Sequence, residues 1–155
     1  MRLVLAAVGR LRKGPEAELV SDYLARFSKT GRALGFPPVT LIEVEDKRGG
    51  GMAAEAELLL RAIPDGAALV ILDERGQKLT SPEFAERLGS WRDQARDVCF
   101  IIGGADGIDP ALRARADLAI SFGQMVWPHM LVRVMLSEQL YRAATILAGS
   151  PYHRE

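Results

Sequence analysis

The 155-residue sequence holds one cysteine and two histidines, and its 20 Lys and Arg cancel its 20 Asp and Glu. A lone thiol closes no intrachain disulfide. Cys99, inside the apolar run Val98–Ile102, reads as a buried structural thiol in a reducing, cytoplasmic setting. His129 and His153 stand far apart in the sequence, with Cys99 remote from both, so no catalytic zinc site at a customary spacing is available and no metal is expected. Zero net charge removes the basic balance that marks many nucleic-acid binders, and taken alone it argues against RNA or DNA. No apolar run approaches the ~20 residues of a membrane span, and the short apolar stretch Leu3–Val8 cannot form a signal-peptide core. Neither insertion nor export is expected. A P-loop and a G-x-S-x-G elbow are missing, and Gly9-Arg10-Leu11-Arg12-Lys13-Gly14 has the wrong glycine spacing for a dinucleotide fingerprint.

What is present suits one soluble globular domain: 48% hydrophobic and 26% charged residues. Charge is unevenly spread. Residues 1–48 hold nine basic and six acidic side chains, residues 49–117 eight and twelve, and residues 118–155 three and two. Sixteen of the cations are Arg, which suits phosphate recognition by a planar fork and equally reflects genome composition. Apolar runs at Leu3–Val8, Val39–Val44, Ala67–Leu72, Val98–Ile102 and Leu118–Ser121 predict strands covered on both faces. Helical patterns at Pro15–Ser28, Met52–Ala62, Pro82–Ala95, Pro110–Ala116 and Met130–Ala148 alternate with them, several opened by a cap residue before a proline. The expected architecture is α/β, a mostly parallel sheet with helices on both faces.

Ligands of such sheets sit at the carboxyl ends of strands. Four loops there stand out: Asp46–Gly51, which combines cations with glycines, Leu72–Lys78, Gly103–Gly107 and Ser121–His129. Gly103-Gly104-x-x-Gly107 permits close approach of main chain to a ligand, and equally serves a tight turn. Phe122–Trp127 could wrap a flat heterocycle or be an ordinary buried loop. On a helical wheel, Val132, Met135, Leu136, Leu140, Ala143, Ile146 and Leu147 form the core arc of the last helix, while Arg133, Ser137, Glu138, Tyr141, Arg142 and Thr145 lie opposite. The Glu138/Arg142 spacing fits an exposed ion pair, a subunit interface or a site wall. The tail Pro151-Tyr152-His153-Arg154-Glu155 reads as a frayed end or as functional.

Taken together, Leu72-Asp73, Ile101–Gly107, Pro128-His129-x-Leu131-Val132-Arg133, Glu138-x-Leu140-Tyr141-Arg142-Ala143 and the tail closely resemble the RlmH family, bacterial 23S ribosomal RNA (pseudouridine-N3) methyltransferases of the SPOUT superfamily. The likeness spans essentially the whole chain and includes the loop Asp46-Lys47-Arg48-Gly49. It implies a single SPOUT methyltransferase domain over residues 1–155, with a deep C-terminal trefoil knot and the cofactor site in roughly 67–155. It implies a homodimer that uses S-adenosylmethionine, without a metal, to methylate 23S rRNA in the assembled ribosome, with neither membrane nor DNA as partner. The cofactor positions carried over are Leu72, Gly103, Gly104, Phe122, Gly123, Gln124, Met125, Val126 and Trp127. The catalytic group is His129, Glu138, Arg142, Tyr152, His153 and Arg154. In that group Arg142 and Arg154 are expected to contact phosphate or an anion, Tyr152 and His153 to hold the base, and Glu138 or His129 to accept the proton. A SPOUT enzyme for another RNA, or a ribosome-binding module without turnover, would share parts of this pattern.

Overall fold

A computed structural model describes residues 1–154; Glu155 lies outside the described residues. Five strands alternate with five helices, in the order β1 (Leu3–Val8), α1 (Pro15–Arg32), β2 (Val39–Val44), α2 (Gly51–Ala62), β3 (Ala68–Gln77), α3 (Ser81–Asp93), β4 (Val98–Ile102), α4 (Pro110–Ala114), β5 (Leu118–Ile120) and α5 (His129–Leu147). All neighbouring strands pair in parallel in the order β2-β1-β4-β3-β5. The continuous apolar strands are buried on both faces, as their runs predict. One face packs Phe27 of α1, Phe84 and Leu88 of α3, and Leu136 and Leu140 of α5; the other packs Leu59 of α2 and Leu112 of α4. Cys99 is buried within β4, and burial pushes its thiol up to about 12, so it stays protonated and inert.

Helix starts follow their caps. Thr80 and Glu83 form a reciprocal capping box ahead of α3, and Asp109 accepts from the Ala111 amide at 2.9 Å ahead of α4. The end of α5 matters more for function. Gly149, at φ +71°, lets the Gly149 and Ser150 amides bond back to Ile146 and Thr145, a Schellman closure that turns Pro151–His153 onto the helix. The tail is therefore docked through His153, against the frayed reading.

The strands lie where expected, but two depart from the reading: β2, at the edge of the sheet, is not covered on both faces, with Thr40 and Leu41 exposed, and β3 is interrupted. Leu72–Lys78 is not a simple loop: the chain leaves the sheet after Leu72 and rejoins it at Gln77, which pairs with Ile120. Ser121, leaving β5, is held by both limbs of this excursion. Its Oγ donates to Glu74 O at 3.0 Å and its amide to Gln77 O at 2.8 Å. Backbone passes so close here that a Cβ on Gly76 would fall 2.6 Å from the Ala119 carbonyl. Gly76→Ala is expected to destabilise the fold by about 1–3 kcal/mol through this overlap with unyielding main chain, read as a lowered urea midpoint; an unchanged midpoint would show that the crossing has room.

Candidate active site

The carboxyl ends of β3, β4 and β5 surround one cavity of about 580 Å³, within the range of small-molecule sites. Its wall includes Leu72, Gly103, Gly104, Phe122, Gly123, Met125, Val126, Trp127 and His129. Eight of the nine cofactor positions expected from sequence thus converge on one space. Gln124 does not: it is exposed and absent from the wall, because the turn at Gly123, with φ +124°, points it outward. Four wall positions, Gly103, Gly104, Gly107 and Gly123, present bare main chain, and Ile102, Ile120, Phe122 and Val132 supply an apolar side.

Gly103 is required by its own loop rather than by open space for a ligand. A Cβ there would lie 2.6 Å from Gly107 O and 2.9 Å from the Ile108 side chain. The turn is closed by the Gly107 amide donating to Gly104 O at 3.0 Å.

Two charged wall residues escaped the sequence reading. Asp73, on the excursion of β3, lies 2.8 Å from Arg113 Nε of α4 and accepts the Arg75 amide at 3.0 Å and Arg75 Nε at 3.3 Å. Burial works to raise its carboxyl, but the bonds from Arg75 and the charge of Arg113 outweigh it and hold Asp73 below the usual carboxylate range. The Leu72-Asp73 pair was a signal; Arg113, alone on a short helix, offered none. On the opposite side of the glycine loop, Glu55 of α2 packs against Gly104, and burial, aided by the charges of Asp106 and Asp46, raises its carboxyl.

The expected catalytic group divides in two. His129 opens α5 at the cavity wall. Glu138, Arg142, Tyr152 and His153 form a separate, part-buried cluster near the other end of the helix. Glu138 Oε1 accepts from Arg142 Nε at 2.9 Å and from the Tyr152 hydroxyl at 3.1 Å, with Arg142 Nη2 at 2.7 Å. The Arg142 guanidinium also lies over the Tyr152 ring, 4.8 Å from its centroid. Burial and the bond to Glu138 push the Tyr152 phenol up to about 12, so it serves as a hydrogen-bond donor. Arg142 Nη1 lies 3.1 Å from His153 Nδ1. A guanidinium only donates, so Nδ1 accepts and the neutral ring carries its proton on Nε2. That Nε2 is buried without a partner among the described residues. Arg154 is exposed beside the cluster. Nine residues of helix put Glu138 about 14 Å along α5 from His129, and Arg142 about 20 Å.

A family model described as "Predicted SPOUT methyltransferase" matches residues 1–153. The chain belongs to the SPOUT methyltransferase family. It is 79% identical over 155 residues to a protein of Paracoccus denitrificans, covering 100% of both chains, and 71% identical over 154 residues to one of Cereibacter sphaeroides, covering 99% of both. Both relatives carry the name "Ribosomal RNA large subunit methyltransferase H". Among solved structures, a probable methylase family protein from Haemophilus influenzae aligns with TM-score 0.51 at 13% identity, covering 99% of this chain and 70% of that one, a likeness of fold alone.

Among the described residues no metal-ligand cluster occurs and no helix is long and apolar enough to cross a membrane. Asp73→Asn should cost about 1.5–3 kcal/mol at pH 7, the range of hydrogen bonds to charged groups. Because the folded carboxyl titrates below its unfolded value of 3.8, this stability is present above pH 3.8 and lost as pH falls further. Urea midpoints of wild type and variant should therefore converge in acid; a constant gap would assign the loss to packing.

Proposed function

We propose that this enzyme transfers the methyl group of S-adenosylmethionine to N3 of a pseudouridine in 23S rRNA, at the position numbered 1915 in the family, on assembled ribosomes and as a homodimer. The observation that carries this reading is 79% identity, end to end, with a relative named for methylation of large-subunit ribosomal RNA. The cavity fits the donor in kind. It combines bare main chain at four glycines with an apolar side for a flat heterocycle. Bound there, a sulfonium would supply a methyl electrophile without a metal.

The residues of the chain must then activate and align the nucleophile. Pseudouridine N3 is an imide nitrogen that attacks once its proton is removed, so the new N–C bond forms as the C–S bond breaks and the proton passes to a base. His129 at the cavity wall, or Glu138 through Oε2, which none of the cluster's hydrogen bonds occupies, is the proton acceptor. Arg142 is committed to Glu138, leaving exposed Arg154 for phosphate. The Nε2–H of His153 has no partner among the described residues and suits a base carbonyl, with Tyr152 bracing Glu138.

Cavity and cluster lie too far apart along α5 for one copy to use both on one nucleotide. A second copy solves this by laying the tail of one subunit over the cavity of the other. Met125, Val126, Trp127, Met130 and Leu131 form an exposed apolar patch between β5 and the outer face of α5, available for that contact. The hold of Glu74 and Gln77 on Ser121 supports the trefoil knot, with the chain after β5 threaded through the excursion of β3. The whole chain then acts as one domain, its knot and cofactor site within roughly 67–155.

Mass spectrometry of rRNA from ribosomes treated with enzyme and donor is expected to show one added methyl on that pseudouridine; transfer to another RNA or to none overturns the assignment. Deleting 152–155 should keep donor affinity while lowering turnover about 100- to 10,000-fold, the worth of a positioned acid–base group. Mixing this truncation with a cavity variant such as Trp127→Ala should restore activity that neither homodimer has. Mixed dimers without activity would mean that each subunit completes its own site.

A further inference from the structure

The cationic loops that follow β1 and β2 are unused by the site described above. Val8 pairs with Val44 at the end of the two strands, and the Gly9 amide donates to Val44 O at 2.7 Å, so residues 9–14 and 45–50 leave the sheet side by side. Together they carry Arg10, Arg12, Lys13, Lys47 and Arg48, all exposed. These five are more than half of the nine cations in residues 1–48.

The nearby carboxylates Glu43 and Asp46 accept their hydrogen bonds from main-chain amides and a buried guanidinium rather than from these five side chains. Glu43 accepts the Leu11 amide at 2.7 Å and buried Arg133 at 2.6 Å, which pins the first loop and leaves its cations pointing outward. Asp46 accepts the amides of Arg48 at 3.2 Å and Gly50 at 2.5 Å, which closes the second loop in the same way. Among the described residues only Glu45 meets one of the five, reaching Arg10 at a loose 4.0 Å between exposed groups.

The patch adjoins the cavity. β1 is hydrogen-bonded to β4, whose carboxyl end leads into Gly103 and Gly104, and a Cβ on Gly104 would lie 3.1 Å from the Val8 side chain. Parallel strands stand about 4.8 Å apart, so the loops begin one and two strands away from the cavity wall. Exposed cations on closed loops next to a site are suited to the repeating negative charge of a nucleic-acid backbone.

We propose that Arg12, Lys13, Lys47 and Arg48 form a phosphate-binding track that grips the backbone of the substrate RNA beside the methylated nucleotide. This rests on the ribosomal reading of the cavity and tail. Unlike them, the track contributes binding without chemistry or base recognition.

The test is binding of the full-length enzyme to purified large ribosomal subunits across a salt series, with methylation kinetics on the same particles. Changing all four residues to Gln should raise Kd and KM at least tenfold and flatten the salt dependence of log K by about 3, at 0.7–0.9 per lost phosphate contact, with donor affinity unchanged. Exchanging Arg for Lys and Lys for Arg at the same positions should preserve both. An unchanged KM and salt slope in the Gln variant overturns the proposal, and so does an equal loss in the charge-conserving variant. Hydroxyl-radical footprints of the RNA should lose protections in the Gln variant; weakened binding with unaltered protections would place the track against an acidic protein and refute the RNA assignment. Failure of the ribosomal reading is separately visible as wild-type enzyme that methylates no large-subunit RNA, whatever the salt series shows.

Discussion

Arg133 is the member on which the rest of the arrangement hangs. It is 1% exposed, and burying an unpaired guanidinium would cost several kcal/mol. The charge is met by Glu43 at 2.6 Å and by the carbonyls of Val8 and Gly9 at 3.3 and 3.1 Å, while burial still pulls its pKa below the ordinary arginine value. Three parts of the molecule are joined at this point: the carboxyl ends of β1 and β2, the loop after β1 through the shared carboxylate of Glu43, and the first turns of α5. The cavity wall at His129 and Val132 lies within one turn of it. A lysine could not replace it, since one ammonium cannot reach a carboxylate and two divergent carbonyls with the geometry of a fork.

Around that anchor α5 runs 19 residues in all, about 28 Å, with the cavity wall at its start and the Glu138–Arg142 cluster in its second half. A rigid helix holds cavity and cluster apart as firmly as it positions each. Small α/β domains have few extra layers from which to close a site, and the proposed second copy would supply the remaining wall. The Nε2 of His153, unpartnered among the described residues, and the exposed apolar side of the loop before α5 are both compatible with that proposed contact.

The strands and helices were legible in the sequence because β1, β4 and the start of β3 are continuous apolar runs buried on both faces, and because α1, α3 and α4 begin at a cap or turn residue before a proline. That eight of the expected positions share one cavity wall was legible because family motifs and the sheet-edge rule pointed to the same loops. What escaped depends on contacts distant in sequence. The wheel put Arg133, Ser137 and Thr145 opposite the core, yet all three are buried, because α1 and α3 pack against α5 from two sides and Arg133 reaches under it to the strands. The Asp73–Arg113 pair joins residues forty positions apart, and the return of β3 to Ile120 after leaving the sheet follows no periodic pattern. Gln124 fell outside the wall because one glycine dihedral redirects it.

Net charge was the least informative quantity of all, for a physical reason. A carboxylate offsets a cation most strongly where the two pair directly, and Glu43 and Asp46 pair with amides and a buried guanidinium instead. Elsewhere opposite charges do meet, as in Arg2 with Asp97, Arg26 with Asp22 and Arg142 with Glu138. A chain whose formal charges sum to zero can therefore keep a local excess of positive charge at one sheet edge. The field there reaches roughly a Debye length, about 8 Å at physiological salt, which is far enough to act on a backbone lying along the rim and too short to attract RNA to the rest of the surface.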